Sequence, residues 1–499
     1  MKYDVIIIGS GLGGLECANI LSRQGLSVLI LERQTQYGGC MQSYKRHGAS
    51  YDTGLHYVGG LDEGQPLYTT FKYLGLLDLP WQRLDENGFD RIYMPNDNIQ
   101  TKSNKEFTEY LFKQGYKEFE DYFSDLFPHE KEALNKYIKL LRLSDANQLS
   151  SLTSNAQLED LFNNSLFSTN AWQWLHENFH DETLINILSG NSLKLELHKK
   201  TLPLFTFLHG NGSYIQSSWR LKGDGNMLVN KLINEVKNNG GELKNNTEVI
   251  ELIEKDGQIV SADCSNGEVY EGKTFISDTH PAITCSLVKN SRLIRNIYRH
   301  RITRLENTFG MFTVSLRLKK DSIPYFNYNK YIYDTPDVWS LSEPESKNTG
   351  ILVSCPTSGN QIDILSPMQW TDCNKWQDTT IGHRGEDYDM FKKKKAEHYI
   401  SMAEEHIPGL RNSIIDIYTS TPLTYRDYNL APNGNAYGIR KDCNMPIMTI
   451  LTPRTPVPNL LMTGQNIMLH GLHGVTMTSL FTCAEILGKN AIQKIINDK

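Results

Sequence analysis

The chain has 499 residues, 39% of them hydrophobic and 22% charged, and 51 basic residues against 57 acidic ones leave a net charge of −6. This balance excludes a disordered, fibrous or multi-span membrane protein, and it gives no electrostatic reason to expect a nucleic-acid partner. At roughly 150 residues per domain the length allows about three folding units, more than one nucleotide-binding unit needs. The run Lys392 to Lys395 lies in an amphipathic stretch and reads as a solvated helix face. The cysteines, Cys17, Cys40, Cys264, Cys285, Cys355, Cys373, Cys443 and Cys483, form no CxxC pair. No metal site and no disulfide framework are therefore expected, and their usage fits a reducing compartment. No stretch approaches the roughly 20 apolar residues of a membrane span. The expectation is a cytoplasmic protein, with peripheral contact to a membrane left open.

The most informative segment comes first in the chain. Tyr3 to Ile8 reads as a buried strand, Gly9-Ser10-Gly11-Leu12-Gly13-Gly14 follows at once, and an amphipathic helix runs through Leu15, Ala18, Ile20 and Leu21. Gly9 permits the tight strand-to-helix turn, Gly11 lets the backbone approach a pyrophosphate, and Gly14 lets the helix pack on the strand. The helix N-terminus then presents unpaired N–H groups and partial positive charge to the phosphates. Gly25 ends the helix, and Ser27 to Leu31 makes a second buried strand with Glu32 at its end. A carboxylate there accepts both ribose hydroxyls and repels a 2′-phosphate, which specifies an unphosphorylated adenosine, as in FAD or NAD.

The continuation Glu32-Arg33-Gln34-Thr35-Gln36-Tyr37-Gly38-Gly39-Cys40, then Gly48 and Tyr51-Asp52-Thr53-Gly54, resembles the flavoprotein family that includes amine oxidases, phytoene desaturases, carotenoid isomerases and retinol saturases. The resemblance implies FAD as cofactor, with Arg33, Gly38, Gly39, Cys40 and Met41 in its wall beside Gly9, Ser10, Gly11, Gly13, Gly14 and Glu32. It also implies an α/β fold in which a Rossmann-like FAD-binding domain of the GR2 type is interleaved with an α+β substrate domain.

From about residue 75 the sequence turns to segments dense in aromatics. Phe107, Tyr110 and Leu111, then Phe119, Tyr122, Phe123 and Leu126, have helical spacings, and Pro128 starts a further helix with Leu134, Tyr137, Ile138 and Leu141. Such stripes either pack a core or wall an apolar tunnel. After Trp219, Gly223-Asp224-Gly225 opens a helix that ends at Gly240-Gly241, and strands follow at 242–244, 249–253, 259–263 and 274–277. These resemble the family's second cofactor-contacting segment, which implies Val249 beside the adenine. The stretch Phe275 to Pro281 resembles the return to the substrate domain. Alternation at 313–318 and 351–354 predicts an antiparallel sheet, and a helix follows through Ala396, Tyr399 and Ile407. Asn459 to Gln465 reads as a last strand, and Gly471 to Val475 opens a C-terminal helix. In the family that element meets the flavin, which implies contacts from Gly464, Gln465, Gly474 and Val475.

The expected organisation is an FAD domain from 1–75, 215–290 and 445–499, and a substrate domain from 76–214 and 291–444. Asp52 to Gly59 resembles the retinol saturase version of its segment. His56 is thus the first proton-transfer candidate, since imidazole titrates near neutrality; the alternative is a packed histidine. His473, beside the flavin-facing glycines, and Tyr425 follow. The resemblance implies an oxidoreductase acting on C=C bonds of an apolar isoprenoid or polyene, with saturation preferred and desaturation or isomerisation as alternatives. NAD(P)H is a candidate external electron donor. A flavin amine oxidase and a non-enzymatic prenyl-protein binding module are the rivals, and the sequence does not set the oligomeric state.

Overall fold

The computed structural model describes residues 2–96, 106–153, 165–343, 345–356 and 360–497. The apolar run near the N-terminus becomes the strand Lys2–Ile8, the centre of a seven-stranded sheet. Val28–Leu31 lies parallel on one side of it, followed by Glu242–Lys244, and Val269–Ser277 lies parallel on the other. Val269–Ser277 is long enough to serve two neighbours. Its first half pairs antiparallel with Gln258–Cys264, and its last three residues pair parallel with Leu460–Met462. Burial on both faces explains why Val28–Leu31 is wholly apolar and fully buried.

Four parallel strands end at the same edge. The amide of Gly9 donates to Leu31 O at 2.9 Å, that of Asp278 to Ile8 O at 2.8 Å and that of Thr463 to Ser277 O at 2.9 Å. The residues that leave these strands, Gly9, Glu32, Asp278 and Gly464, therefore converge at the carboxyl edge of the sheet, where ligands bind in open α/β folds. The helix Leu12–Arg23 starts at this edge and packs against the helices Gly225–Asn238 and Gly471–Leu487.

A second sheet of seven strands takes the order Ile414–Ser420, Gly310–Leu318, Gln361–Met368, Gly350–Ser354, Asn329–Tyr333, Asp90–Pro95 and Phe107–Phe112. It is antiparallel except between Asn329–Tyr333 and Asp90–Pro95. The predicted strands at 313–318 and 351–354 fall inside it. Phe107–Phe112 corrects an expectation, because its spacing predicts a helix and it is a strand. Its backbone pairs with Asp90–Pro95 from Pro95↔Phe107 to Asp90↔Phe112, and six residues with Phe and Tyr suit a strand once a partner edge is offered.

The aromatic helices pack a core, and among their described residues none lines the cavity at the sheet edge. Phe119 on the helix Tyr116–Leu126 meets Phe112 edge-on at 5.1 Å between ring centroids, and Phe123 meets it at 5.7 Å. Tyr137, on the helix Lys131–Thr153, packs among Trp174, Phe179 and Phe207. The lysine run sits on the helix Glu386–Glu404, where Lys393 and Lys394 are exposed and Lys392 pairs with Asp389 at 3.2 Å. No helix of the described residues is long and apolar enough to cross a membrane.

Candidate active site

A cavity of about 880 Å³ opens at the carboxyl edge of the first sheet and runs to the second. One end is built from the glycine turn. Gly9 has φ +95°, a left-handed conformation that only glycine adopts cheaply, and at Gly14 a Cβ would stand 2.5 Å from Gly9 O. At Gly11 and Gly13 a Cβ would stand 2.5 and 2.9 Å from the carboxyl oxygens of Asp278. These two glycines leave room for the Asp278 carboxyl at the helix N-terminus, at the edge of the cavity.

Glu32 is held ready at the end of Val28–Leu31. Its Oε2 accepts from the Ser10 amide at 2.9 Å and from Ser10 Oγ at 2.6 Å, while Oε1 accepts from the Gln34 amide at 2.7 Å. Ser10 also ties in the Gly-Gly turn, since the Gly38 amide donates to Ser10 O at 3.0 Å. Arg33 lines the cavity and donates to the carbonyls of Asp427 and Tyr428 at 3.2 and 2.8 Å. Cys40 accepts from Asn429 Nδ2 at 3.3 Å, and burial pushes its thiol up to about 11, so it is no nucleophile at neutral pH.

Of the residues singled out from the sequence, Gly9, Ser10, Gly11, Gly13, Glu32, Arg33, Gly39, Cys40, Met41, Val249, Gly464, Gln465 and Val475 all line this cavity. Three glycines do not. Gly14 serves the helix–strand contact, Gly38 faces Val229 on the helix Gly225–Asn238, and Gly474 faces the backbone of Leu469.

The candidate proton-transfer groups divide in the same way. His56 and Tyr425 are in the cavity wall. Burial, then the charge of Arg220, holds the His56 imidazole down to about 4, so it is neutral at physiological pH. Arg220 is fixed by Asn329 Oδ1 at 2.6 Å and Cys355 O at 2.7 Å. The residue after His56 anchors that turn: Tyr57 donates to Asp90 at 3.0 Å, and Asp90 also accepts from Asn329 and Asn191 at 2.8 and 3.2 Å. Burial raises the Tyr425 phenol well above its ordinary range, and its hydroxyl points to Thr53 O at 3.5 Å.

His473 corrects an expectation, because it is on the far side of its helix. Its ring packs on His209 at 4.6 Å, both ring nitrogens are buried without a partner, and burial pushes it down to about 3. His470 likewise stands outside, tilted against Tyr437 at 4.6 Å between ring centroids with Nε2 on Lys194 O at 2.9 Å.

Sequence reasoning missed Asp278 as a site residue, although it follows a buried apolar strand and precedes a return of the chain. It also missed the apolar wall contributed by the second sheet, Met311 and Leu365, and by Trp370 and Tyr437 further on. Across the part of the cavity wall from Met311 to Tyr437 the described residues include no acid.

A glycine turn at a helix N-terminus, an oriented acid at the end of the second strand and apolar side chains from a second sheet around one cavity define a dinucleotide-dependent enzyme. The comparisons with known proteins make this specific. The model of the flavin-containing amine oxidoreductase family matches residues 12–282, more than half of the chain, and the chain belongs to that family. It is an FAD-dependent oxidoreductase. Human all-trans-retinol 13,14-reductase is 24% identical, covering 99% of this chain and 87% of that protein. The chloroplastic prolycopene isomerase of Daucus carota is also 24% identical, covering 88% and 72%. An oxidoreductase from Methanosarcina mazei has the same fold, with a TM-score of 0.63 at 16% identity over 96% of this chain and 99% of that one.

Proposed function

We propose that this enzyme acts on carbon–carbon double bonds of an extended apolar isoprenoid or polyene, with reduction as its preferred direction and an external donor such as NAD(P)H as electron source. The observation that carries this reading is the wall from Met311 to Tyr437, where Met311, Leu365, Trp370, Tyr425 and Tyr437 give an apolar and aromatic surface and, among the described residues, Arg426 is the charged side chain and no acid occurs. An ammonium substrate would meet no countercharge there, whereas a polyene needs none. The retinol reductases and prolycopene isomerases among the relatives support the same substrate class.

The division of labour follows from the walls. Residues 1–75, 215–290 and 445–499 would hold the FAD, and 76–214 with 291–444 the substrate. The FAD cradle would be the turn at Gly11 and Gly13 beside Asp278, with Glu32 to hold a ribose and Val249 and Val475 further along the cavity. FAD, when bound, supplies two-electron hydride chemistry. Met311, Leu365, Trp370 and Tyr437 exclude water and orient the chain of double bonds. A saturation also needs a proton, and His56 is the group placed to move one. Because burial and Arg220 keep it uncharged, His56 would give up one ring N–H while its other nitrogen takes a proton from solvent water in the cavity, without holding an imidazolium. Exposed apolar residues near the cavity mouth, Tyr428 and Leu430, would admit a substrate delivered from a membrane surface.

The test is anaerobic incubation of the holoenzyme with a panel of polyenes, with the flavin oxidised in one arm and chemically reduced in the other, followed by mass analysis. Gain of two hydrogens with reduced enzyme is the expected result. Loss of two hydrogens makes it a desaturase and an unchanged mass with altered retention an isomerase. Oxidation of amines with no change in any polyene would overturn the reading.

A further inference from the structure

The glycine cradle already contains an anion. Asp278 is partly buried at the N-terminus of the helix Leu12–Arg23, where its two carboxyl oxygens lie toward Gly11, Gly13 and Gly464 and its Cβ toward Gly14. Its Oδ2 has no well-formed hydrogen bond among the described residues, although the amides of Gly14 and Gly11 direct their partial charge at it. Asp278 also lines the cavity.

We propose that Asp278 takes up a proton from solution when FAD binds and is held as the neutral acid beside the pyrophosphate, so that cofactor binding is linked to uptake of one proton. This rests on the reading of the cradle as the FAD site. One helix N-terminus offers about half a positive charge, too little for a diphosphate and a carboxylate together. The ionisable groups that face Asp278 give no countercharge. They are Glu32 from the end of the second strand, Glu16 from the helix itself and Cys40 from the Gly-Gly turn, and all are acids. Burial, opposed by the Gly14 amide and reinforced by Glu32, already brings its carboxyl up to about 7. A like charge brought close disfavours ionisation and raises a carboxyl further, so the acid form persists in the complex. As the neutral acid, Asp278 has an O–H to offer a phosphate oxygen, which turns a repulsion into a hydrogen bond. The proton comes from the buffer and no bond to the cofactor is made or broken.

The experiment is calorimetric titration of the apoprotein with FAD in buffers of different ionisation enthalpy, at about pH 6 and about pH 8. Uptake near one proton per FAD at the higher pH and near zero at the lower is expected, because the free carboxyl is mostly ionised only at the higher one. The uptake should vanish in Asp278→Asn and persist in Glu16→Gln. Wild-type FAD affinity should fall by up to tenfold per pH unit above about pH 7, and that slope should flatten in Asp278→Asn. Infrared difference spectra of the wild type give a readout that does not depend on the variant folding: FAD binding should add a protonated-carboxyl band. Flavin bound without proton uptake or such a band overturns the proposal alone. A wild-type protein that takes up no flavin overturns the cofactor reading, and the proposal with it.

Discussion

Replacing Glu16 by glutamine should change how stability depends on pH. Glu16 is on the inner face of the helix Leu12–Arg23 and has no exposed surface; its Oε1 accepts from Thr476 Oγ1 at 2.8 Å, and Oε2 has no well-formed hydrogen bond among the described residues. Burial outweighs the hydrogen bonds from Thr476 and Ser479 and pushes its carboxyl from 4.5 up to about 8. The folded protein therefore keeps a proton that the unfolded chain releases. Stability is lost as pH rises through that window, at about 1.4 kcal/mol per unit, because the native state then binds more protons than the unfolded state. Across the window from 4.5 to about 8 the loss is on the order of 5 kcal/mol. Glu16→Gln keeps the acceptor for Thr476 and does not titrate. In urea denaturation at intervals from about pH 5 to about pH 8.5, the variant should gain on the wild type at each step and lead by several kcal/mol at the top. A gap between the two that stays constant over the range would refute the reasoning.

Gly14→Ala sets a methyl 2.5 Å from Gly9 O, a backbone atom that cannot turn aside; it should cost about 1–3 kcal/mol and lower the melting temperature by several degrees, and an unchanged melt would mean that the turn yields. Glu32→Ala removes the acceptor for three donors, two on Ser10 and one at Gln34, as well as the acid that faces the cavity. FAD affinity should fall roughly 10- to 100-fold, as for loss of a hydrogen bond to a charged group, and a flavin fluorescence titration within twofold of wild type would count against a ribose role. His56 is held down to about 4, so it stays neutral from pH 5 upward and should contribute no limb to the rate profile between about pH 5 and pH 8. A limb near pH 6.5 that disappears in His56→Gln would show an imidazole that charges in the cavity.

The glycine turn and Glu32 were legible because their geometry is local. A strand, a turn that requires φ +95° at Gly9, a helix and a second strand follow one another within about 30 residues, the span of a βαβ unit. The same locality limits what can be read. Asp278 is far along the chain from the glycine loop, and it reaches the cradle because Val269–Ser277 pairs beside Lys2–Ile8 with Ile8↔Ser277 in register. Spacing near Phe107 satisfied a helix, yet the open edge at Asp90–Pro95 recruited the segment as a strand. His56 and His473 both stand beside glycines in the sequence. Packing of the helix Gly471–Leu487 against the helix Leu12–Arg23 fixes its rotation, with His473 on His209 and Val475 facing the cavity.

The sequence by itself therefore determined the cofactor class, since close approach to a phosphate and recognition of a ribose are requirements on backbone and charge within one short segment. Only the tertiary structure decided what shares the cradle with that cofactor and which side chains wall the substrate. Those neighbours come from strands far apart in the chain, and their meeting is set by sheet register and helix rotation, neither of which a single segment encodes.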